Sequence, residues 1–171
     1  FVNNFDTFNK FDVIYDFGKT KILGLEGELS VQVSDNLKWT GKLNMEDYKA
    51  GAEKESYFKP QLRLSSNFTF VYNKKLTFDA AVMMQDDSRA KVFTANPLNP
   101  DGTYPPVPDF NNESIVTVKG FVDLGLGANY KINNKFSAFV KTNNLLNNNY
   151  SRFLYYRLNG INIFGGLTYS F

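Results

Sequence analysis

The side chains that do most protein chemistry are missing from this chain. Among its 171 residues there is no His and no Cys. Without imidazole, every dyad or triad that uses it as the general base is excluded. Without thiols, disulfides and the usual Cys/His zinc site are excluded as well. Carboxylates remain. Asp86 and Asp87 are adjacent, and Asp101 precedes Gly102 in "NPDGTY". Loop carboxylates bind Ca²⁺, but neither stretch fills the spacing of an EF-hand loop, and such dipeptides are usually solvated turns. "GLGLG" around Gly125 precedes no helix whose N-terminus would hold a phosphate, so its small residues are expected to allow curvature or close approach in a strand. "NFT", "NES" and "NYS" match the glycosylation sequon and carry no further weight. The expectation is therefore no catalytic residue, no metal and no cofactor.

A second set of charged residues is spaced by two. Glu26 and Glu28, then Lys38, Lys42 and Glu46, then Arg63, Asp79, Lys119, Asp123 and Lys141 all alternate with apolar neighbours. On strands, such spacing puts them on one face. Their mixed signs suggest cross-strand ion pairs or contacts to an inner domain rather than a charge-selective channel. For a ligand, the better place is the long loop. Tyr104, Phe110 and "YPPVP" offer aromatic, pre-stiffened surface on which ligands stack.

The elements that position these residues read as strands throughout. From Leu23 the odd positions are Leu23, Leu25, Gly27, Leu29, Val31 and Val33, with polar residues between. After "SDN" the pattern repeats in Leu37, Trp39, Gly41, Leu43 and Met45. It recurs in Leu62 to Phe70, Leu76 to Met84, Val116 to Ala128, Phe136 to Val140 and Ile161 to Phe171. Period two over such lengths means one apolar and one polar face. Near Asn159 and Gly160 the parity slips by one, which predicts a bulge. With a less regular strand near Phe8 to Phe17, the count is about eight strands.

The connections alternate in length. "SDN", "NKK" and "INNK" are tight, whereas Lys49 to Glu55, Ser88 to Ser114 and Asn143 to Arg152 are long. Trp39, Phe70, Tyr72, Phe78, Tyr130, Phe136, Tyr169 and Phe171 fall beside the short turns, while Tyr48, Tyr57, Phe93 and Tyr155 fall near the long loops. Short turns on one side, long loops on the other and aromatic girdles are the layout of an antiparallel transmembrane β-barrel. No run of about 18 apolar residues forms a transmembrane helix. A mean hydropathy of −0.34 fits strands that average out as polar. Net charge is +2, which gives no electrostatic footprint for nucleic acid. Alternation alone does not say which face is outside, and a soluble lipocalin-like barrel or sandwich would bury the same residues inwards. Strand length, turn asymmetry and the aromatic level favour the membrane.

The chain ends on "INIFGGLTYSF", with Leu167, Tyr169 and Phe171 at alternate positions. This resembles the C-terminal insertion signal of bacterial outer-membrane proteins, which implies recognition by the barrel assembly machinery. Physically, such a strand must close against a first strand, because an open edge in lipid leaves backbone groups unsatisfied. "NLLNNNY" (Asn144 to Tyr150) is similar to the Asn-Leu-Phe-Asn-x-x-Tyr element of TonB-dependent outer-membrane receptors, with Leu146 where Phe is usual. "GLEGELSVQVSDNLKWTGKL" (Gly24 to Leu43) resembles the strand and hairpin of the same family's barrel. The Asn- and Lys-rich style resembles its Bacteroidetes members.

The resemblance covers most of the chain and implies a Gram-negative outer-membrane barrel of about 22 strands around an N-terminal plug. It implies outer-membrane lipid as surroundings, and active uptake of an iron chelate, vitamin or glycan driven by the inner-membrane TonB complex. Residues 1–171 carry neither plug nor TonB box, so the expectation is the C-terminal barrel segment, with roughly eight of those strands. The start, "FVNNFDTFNKF", is neither a Met start nor a signal peptide, so a cut or processed N-terminus is expected. A competing expectation is a self-contained eight-stranded barrel with a structural or adhesive role. An outer-membrane enzyme is disfavoured, since barrel lipases, deacylases and proteases resemble one another in needing a His.

Overall fold

In the computed structural model the described residues are 2–4, 10–12, 17–93 and 113–171. Among them the regular elements are all strands. In chain order they are β1 (Val2–Asn4), β2 (Lys10–Asp12), β3 (Lys21–Ser34), β4 (Leu37–Lys49), β5 (Leu62–Tyr72), β6 (Leu76–Gln85) and β7 (Ser88–Phe93). There follow β8 (Glu113–Val118), β9 (Phe121–Lys131), β10 (Phe136–Asn143), β11 (Ser151–Phe153), β12 (Tyr156–Arg157) and β13 (Asn162–Tyr169). Seven of them form one antiparallel sheet in the order β13-β10-β9-β6-β5-β4-β3. The protein is all-β, and its sheet is an up-and-down meander with β3 and β13 as its two edges.

The register follows from the alternation. Val31 pairs with Trp39, Trp39 with Phe68, Phe68 with Ala80, Ala80 with Leu126 and Leu126 with Thr142. Directly opposed residues share a face, so one predominantly apolar face runs across the sheet, with Ser66 and Thr142 among its few polar members. From Leu76 to Met84 that face spans about 26 Å at about 3.3 Å per residue, close to the apolar band of about 25 Å of an outer-membrane barrel.

Nothing among the described residues covers this face. Leu23, Ile163 and Leu167 are 76%, 70% and 76% exposed. The buried apolar residues are Ala90, Val118, Phe121 and Tyr150, and all four lie at the long-loop end. A soluble sandwich or lipocalin-like fold would instead bury the apolar stripe inwards, and these strands do not.

The short turns obey local chemistry. At Tyr72–Lys75 both central residues, Asn73 and Lys74, have positive φ (49° and 55°), and the Lys75 N–H donates to the Tyr72 carbonyl at 3.2 Å. That geometry matches the right-handed twist of the flanking strands. At the β9–β10 turn the Asn133 side chain accepts from the backbone N–H groups of Lys135 and Phe136 at 2.8 and 2.9 Å.

Four differences from the sequence expectations have physical reasons. The segment expected as one strand from Val116 to Ala128 is broken at Lys119–Gly120, opposite a second break at Asp86–Asp87. β7 and β8 therefore pair in a separate hairpin beyond the sheet. The Asp87 carboxylate holds the break, accepting from the Gly120 N–H at 2.7 Å and from Lys119 Nζ at 2.9 Å. A Cβ on Gly120 would lie 2.3 Å from the Gln85 carbonyl oxygen. Second, β2 lies within the stretch expected as a first strand, but it pairs with β1, which runs parallel to β7, so neither joins the main sheet. Third, residues 159 and 160 are not a bulge, since β13 begins at Asn162 and pairs in unbroken register with β10. The parity slip marks the end of the strand; the register shift in the main sheet is at Gln32/Ser34. Fourth, Tyr48 shares the polar face, where its hydroxyl bonds Glu46. Its even number fixed that, so it takes no place in a lipid-facing girdle.

Candidate functional site

The polar face gathers most of the charged residues that the spacing singled out. Glu26, Glu28, Lys38, Lys42, Glu46, Arg63, Asp79, Asp123 and Lys141 all share it by register. Cross-strand partners take up several of them. Lys42 Nζ lies 2.8 Å from Glu28 and Arg63 lies 3.3 Å from Glu46. Asn44 donates to Glu26 at 2.6 Å, and Thr69 donates to Asp79 at 2.8 Å. Opposed pairs of opposite sign or matched hydrogen-bonding capacity stabilise a ladder by about 0.2–1 kcal/mol each. Gly127 lies between Asp79 and Lys141, where a Cβ would make ordinary contact at 3.6 Å with each side chain. Gly125 serves close approach, its virtual Cβ being 3.0 Å from the Thr142 carbonyl oxygen.

Lys119 lies outside the sheet, in the break between β8 and β9, where it pairs with Asp87. Hydrogen bonds from the Gly120 backbone and from Lys119 hold the Asp87 carboxyl below the usual carboxylate range.

Asp123 faces the polar side but is engaged by a loop. Its Oδ1 accepts from the Asn144 N–H and its Oδ2 from the Tyr150 hydroxyl, each at 2.8 Å. Asn144, 1% exposed, is the hub of that loop. Its Nδ2 donates to the carbonyls of Asn148 (3.0 Å) and Asn159 (3.1 Å), and its Oδ1 accepts from the Asn148 N–H (3.0 Å). With φ of 51° at both Asn144 and Asn147, the backbone sits in the left-handed region that Asn tolerates. Tyr150 stacks on Phe121 with ring centroids 3.8 Å apart and planes 9° from parallel. Burial, aided by the Asp123 carboxylate, pushes the Tyr150 phenol up to about 12. The "NLLNNNY" element thus ties the β10–β13 connection to the top of β9. Its role was invisible in spacing, because Tyr150 reaches a partner 27 residues away.

The other long loops interlock nearby. Lys91, on β7, bonds Glu53 at 2.7 Å and Glu113 at 2.6 Å, and Lys54 joins Glu113 at 2.6 Å. Burial opposes the charge on Lys91, but its bonds to Glu113 and Glu53 outweigh that and raise it. Hydrogen bonds from Lys54 and Lys91 hold Glu113 low. Tyr57 lies over the Lys91 ammonium at 5.8 Å. The Phe58 N–H donates to the Arg89 carbonyl at 2.7 Å, and its ring meets Phe153 edge-on at 5.3 Å. Tyr57 is thereby a cap residue, and Tyr155 sits in the β11–β12 turn. Tyr104 and Phe110, the expected ligand contacts, lie outside the described residues.

At the opposite end the aromatics cluster on the apolar face. Phe136 and Tyr169 pair across β10 and β13 with ring centroids 4.7 Å apart, and Phe171 meets Tyr169 at 5.0 Å. Leu167 and Tyr169 point to the same side by register, and Phe171 is fully exposed.

No known family model matches the chain, and no curated protein does. Solved structures do. The pyoverdine outer-membrane receptor FpvA of Pseudomonas aeruginosa bound to pyoverdine is similar with a TM-score of 0.70 at 20% identity, over 90% of this chain and 22% of that one. The siderophore receptor PirA of Acinetobacter baumannii gives 0.69 at 20% identity, over 88% and 22%. FpvA in complex with pyocin S2 gives 0.69 at 19% identity, over 88% and 20%. The chain thus shares the β-barrel fold of these structures and spans about a fifth of their length.

Proposed function

We propose that this chain is the C-terminal part of the barrel of a TonB-dependent receptor in the outer membrane of a Gram-negative bacterium, and that the whole protein takes up a nutrient. The carrying observation is a seven-stranded antiparallel sheet whose apolar face no described residue covers and whose two outermost strands each lack a partner on one side among the described residues. In lipid such edges are costly, since exposed N–H and C=O groups have no water to bond. β3 is 14 residues long and exposed throughout, and it supports pairing with further strands rather than a chain-terminating edge. A self-contained barrel would need β3 to pair with β13, and among the described residues β3 pairs with β4 alone and β13 with β10 alone. The likeness to siderophore receptors favours a metal chelate among the substrates, with Tyr104 and Phe110 as candidate contacts. The composition favours a Bacteroidetes-like origin. The barrel assembly machinery would read Leu167, Tyr169 and Phe171, and the TonB complex would act through a plug outside residues 1–171. No catalytic role is assigned.

The test is the intact mass of the protein isolated from its native outer membrane, followed by deletion and uptake assays with labelled ferric chelates, vitamins and glycans. A mass several times 19.5 kDa and loss of one uptake activity on deletion are expected. A mass near 19.5 kDa would overturn the proposal. Unchanged ligand affinity after Tyr104→Ala and Phe110→Ala would remove that loop contact alone.

A further inference from the structure

Gly27 stands in the middle of β3 with no backbone reason to be glycine. Its φ lies outside the left-handed region, and a Cβ added to it would meet nothing within 4 Å. Glycine weakens a strand interior, and its use there often marks a place where something else comes close. By register Gly27 is on the apolar face, opposite Leu43. Over it lies a hollow of about 600 Å³, walled by Leu29, Trp39, Leu43, Leu64, Val82 and Met84. Trp39 closes the hollow towards the short turns. Its indole N–H donates to the Ser66 hydroxyl at 2.7 Å, and its ring lies over Gly41, where a Cβ would come within 2.7 Å of it. The indole and the hydroxyl thus satisfy each other, while Glu28 and Lys42 pair on the opposite face. Transmembrane helices associate partly through hydrogen bonds between them, and these walls offer hydrocarbon and indole instead.

Towards the long loops the same two strands continue the track. Leu25 and Met45, then Leu23 and Asp47, line a second hollow of about 530 Å³. Next along, where both strands end, Lys21 stands directly opposite Lys49 on the same face. Opposed like charges destabilise a strand pair. Neither lysine forms an ion pair among the described residues, nor does Asp47, one pair below, and the three together leave a net positive charge. A phosphate between the two ammonium groups would remove their repulsion. From the Lys21–Lys49 pair to the Gly27–Leu43 pair is six residues, about 20 Å at about 3.3 Å per residue. On a strand tilted by about 40° this is about 15 Å of depth, half of a hydrocarbon core of about 30 Å. A headgroup phosphate at the lysines therefore brings the end of its acyl chain over Gly27.

We infer that this track seats one lipid of the outer leaflet, a phosphorylated and acylated glycolipid of the lipid A kind. Its phosphate lies between Lys21 and Lys49, and one acyl chain runs down β3 and β4 into the hollow over Gly27. The inference rests on the barrel proposed above, which puts the apolar face in lipid and the long loops outside, where that leaflet is built of such glycolipid.

The test is native mass spectrometry of the full-length protein, released from its outer membrane in mild detergent, with bound lipids counted and identified. Wild type is expected to keep one more copy of the glycolipid than either Gly27→Leu or Lys21→Glu/Lys49→Glu. The Cβ of Gly27→Leu enters open space and both lysines are exposed, so the sheet survives these changes, as circular dichroism checks. Lys21→Arg/Lys49→Arg keeps the charge and is expected to keep the copy. Equal glycolipid counts in wild type and either of the first two variants overturn the inference and leave the barrel standing; a neighbouring strand whose side chain covers Gly27 would give this result. A glycerophospholipid or a protein chain as the lost species overturns it as well. Full-length protein that leaves the membrane in alkaline carbonate without detergent refutes the barrel, and the inference with it.

Discussion

Replacing Asn144 is the sharpest perturbation of the long-loop end. Its side chain makes three hydrogen bonds of 3.0–3.1 Å at a site that is 1% exposed. At roughly 1 kcal/mol net for each, Asn144→Ala loses about 3 kcal/mol. The backbone φ of 51° adds about 1 kcal/mol, because Ala does not share the tolerance of Asn for the left-handed region. Asn144→Gly loses the same bonds but keeps the backbone at ease, so it should cost about 1 kcal/mol less. Asn144→Asp should be the worst of the three, since it turns a carboxylate on two carbonyl oxygens close to Asp123. Denaturant titration of the full-length protein in vesicles measures the global loss. Limited proteolysis between residues 144 and 161 measures local opening, which caps the global loss if the loop detaches first. Equal stability for Ala and Gly, with unchanged cleavage of the loop, would refute the assignment of Asn144 as its hub.

Other outcomes follow from neighbouring geometry. The Tyr150 phenol titrates near 12 in the folded protein against about 10 when unfolded. A raised folded value means stability that is complete below pH 10 and lost between pH 10 and 12. That is about 2–3 kcal/mol, and it should vanish from the pH profile of Tyr150→Phe. Glu113 is held low, so the contact between the β4–β5 loop and the β7–β8 hairpin should persist above the usual carboxylate range and loosen as pH falls through the lowered value, as hydrogen exchange at Lys91 would read. Gly120→Val should disrupt the break between β6 and β7, because its first side-chain atom would already meet the Gln85 carbonyl oxygen at 2.3 Å. Loss of protection at Asp86–Asp87 would report it. Leu126→Arg, on the apolar face, should cost about 2–4 kcal/mol in a bilayer, whereas Asn67→Arg on the polar face should be nearly neutral.

The sheet was legible in the sequence because side chains in a strand alternate without drift. Leu76 to Met84 and Val122 to Tyr130 could be assigned to one face by parity, and the register confirms it. Tyr48 shows the same rule from the other side, since counting parity alone places it beside Glu46. The break at Asp87 and Gly120 left a weaker trace, a Gly and two acids where alternation falters, and its hydrogen bonds join residues 33 apart. Asp123 carried no sign of its partners, which arrive from the far end of the next hairpin. The hollow over Gly27 was equally hidden, since Trp39 meets Ser66 only when β4 and β5 pair.

The proposed barrel requires that one face of this sheet meet lipid and the other not. The chain contains no Cys, so a nitroxide can be placed at each position from Val122 to Tyr130 in turn, with the full-length protein in a bilayer. Collision rates with oxygen, which partitions into lipid, and with a polar nickel chelate, which stays in water, then report each side. The expected result is a two-residue period, with high oxygen access at Val122, Leu124, Leu126, Ala128 and Tyr130 and low access between them. Equal access on both faces, or oxygen access at Asp123 and Asn129 instead, would contradict it.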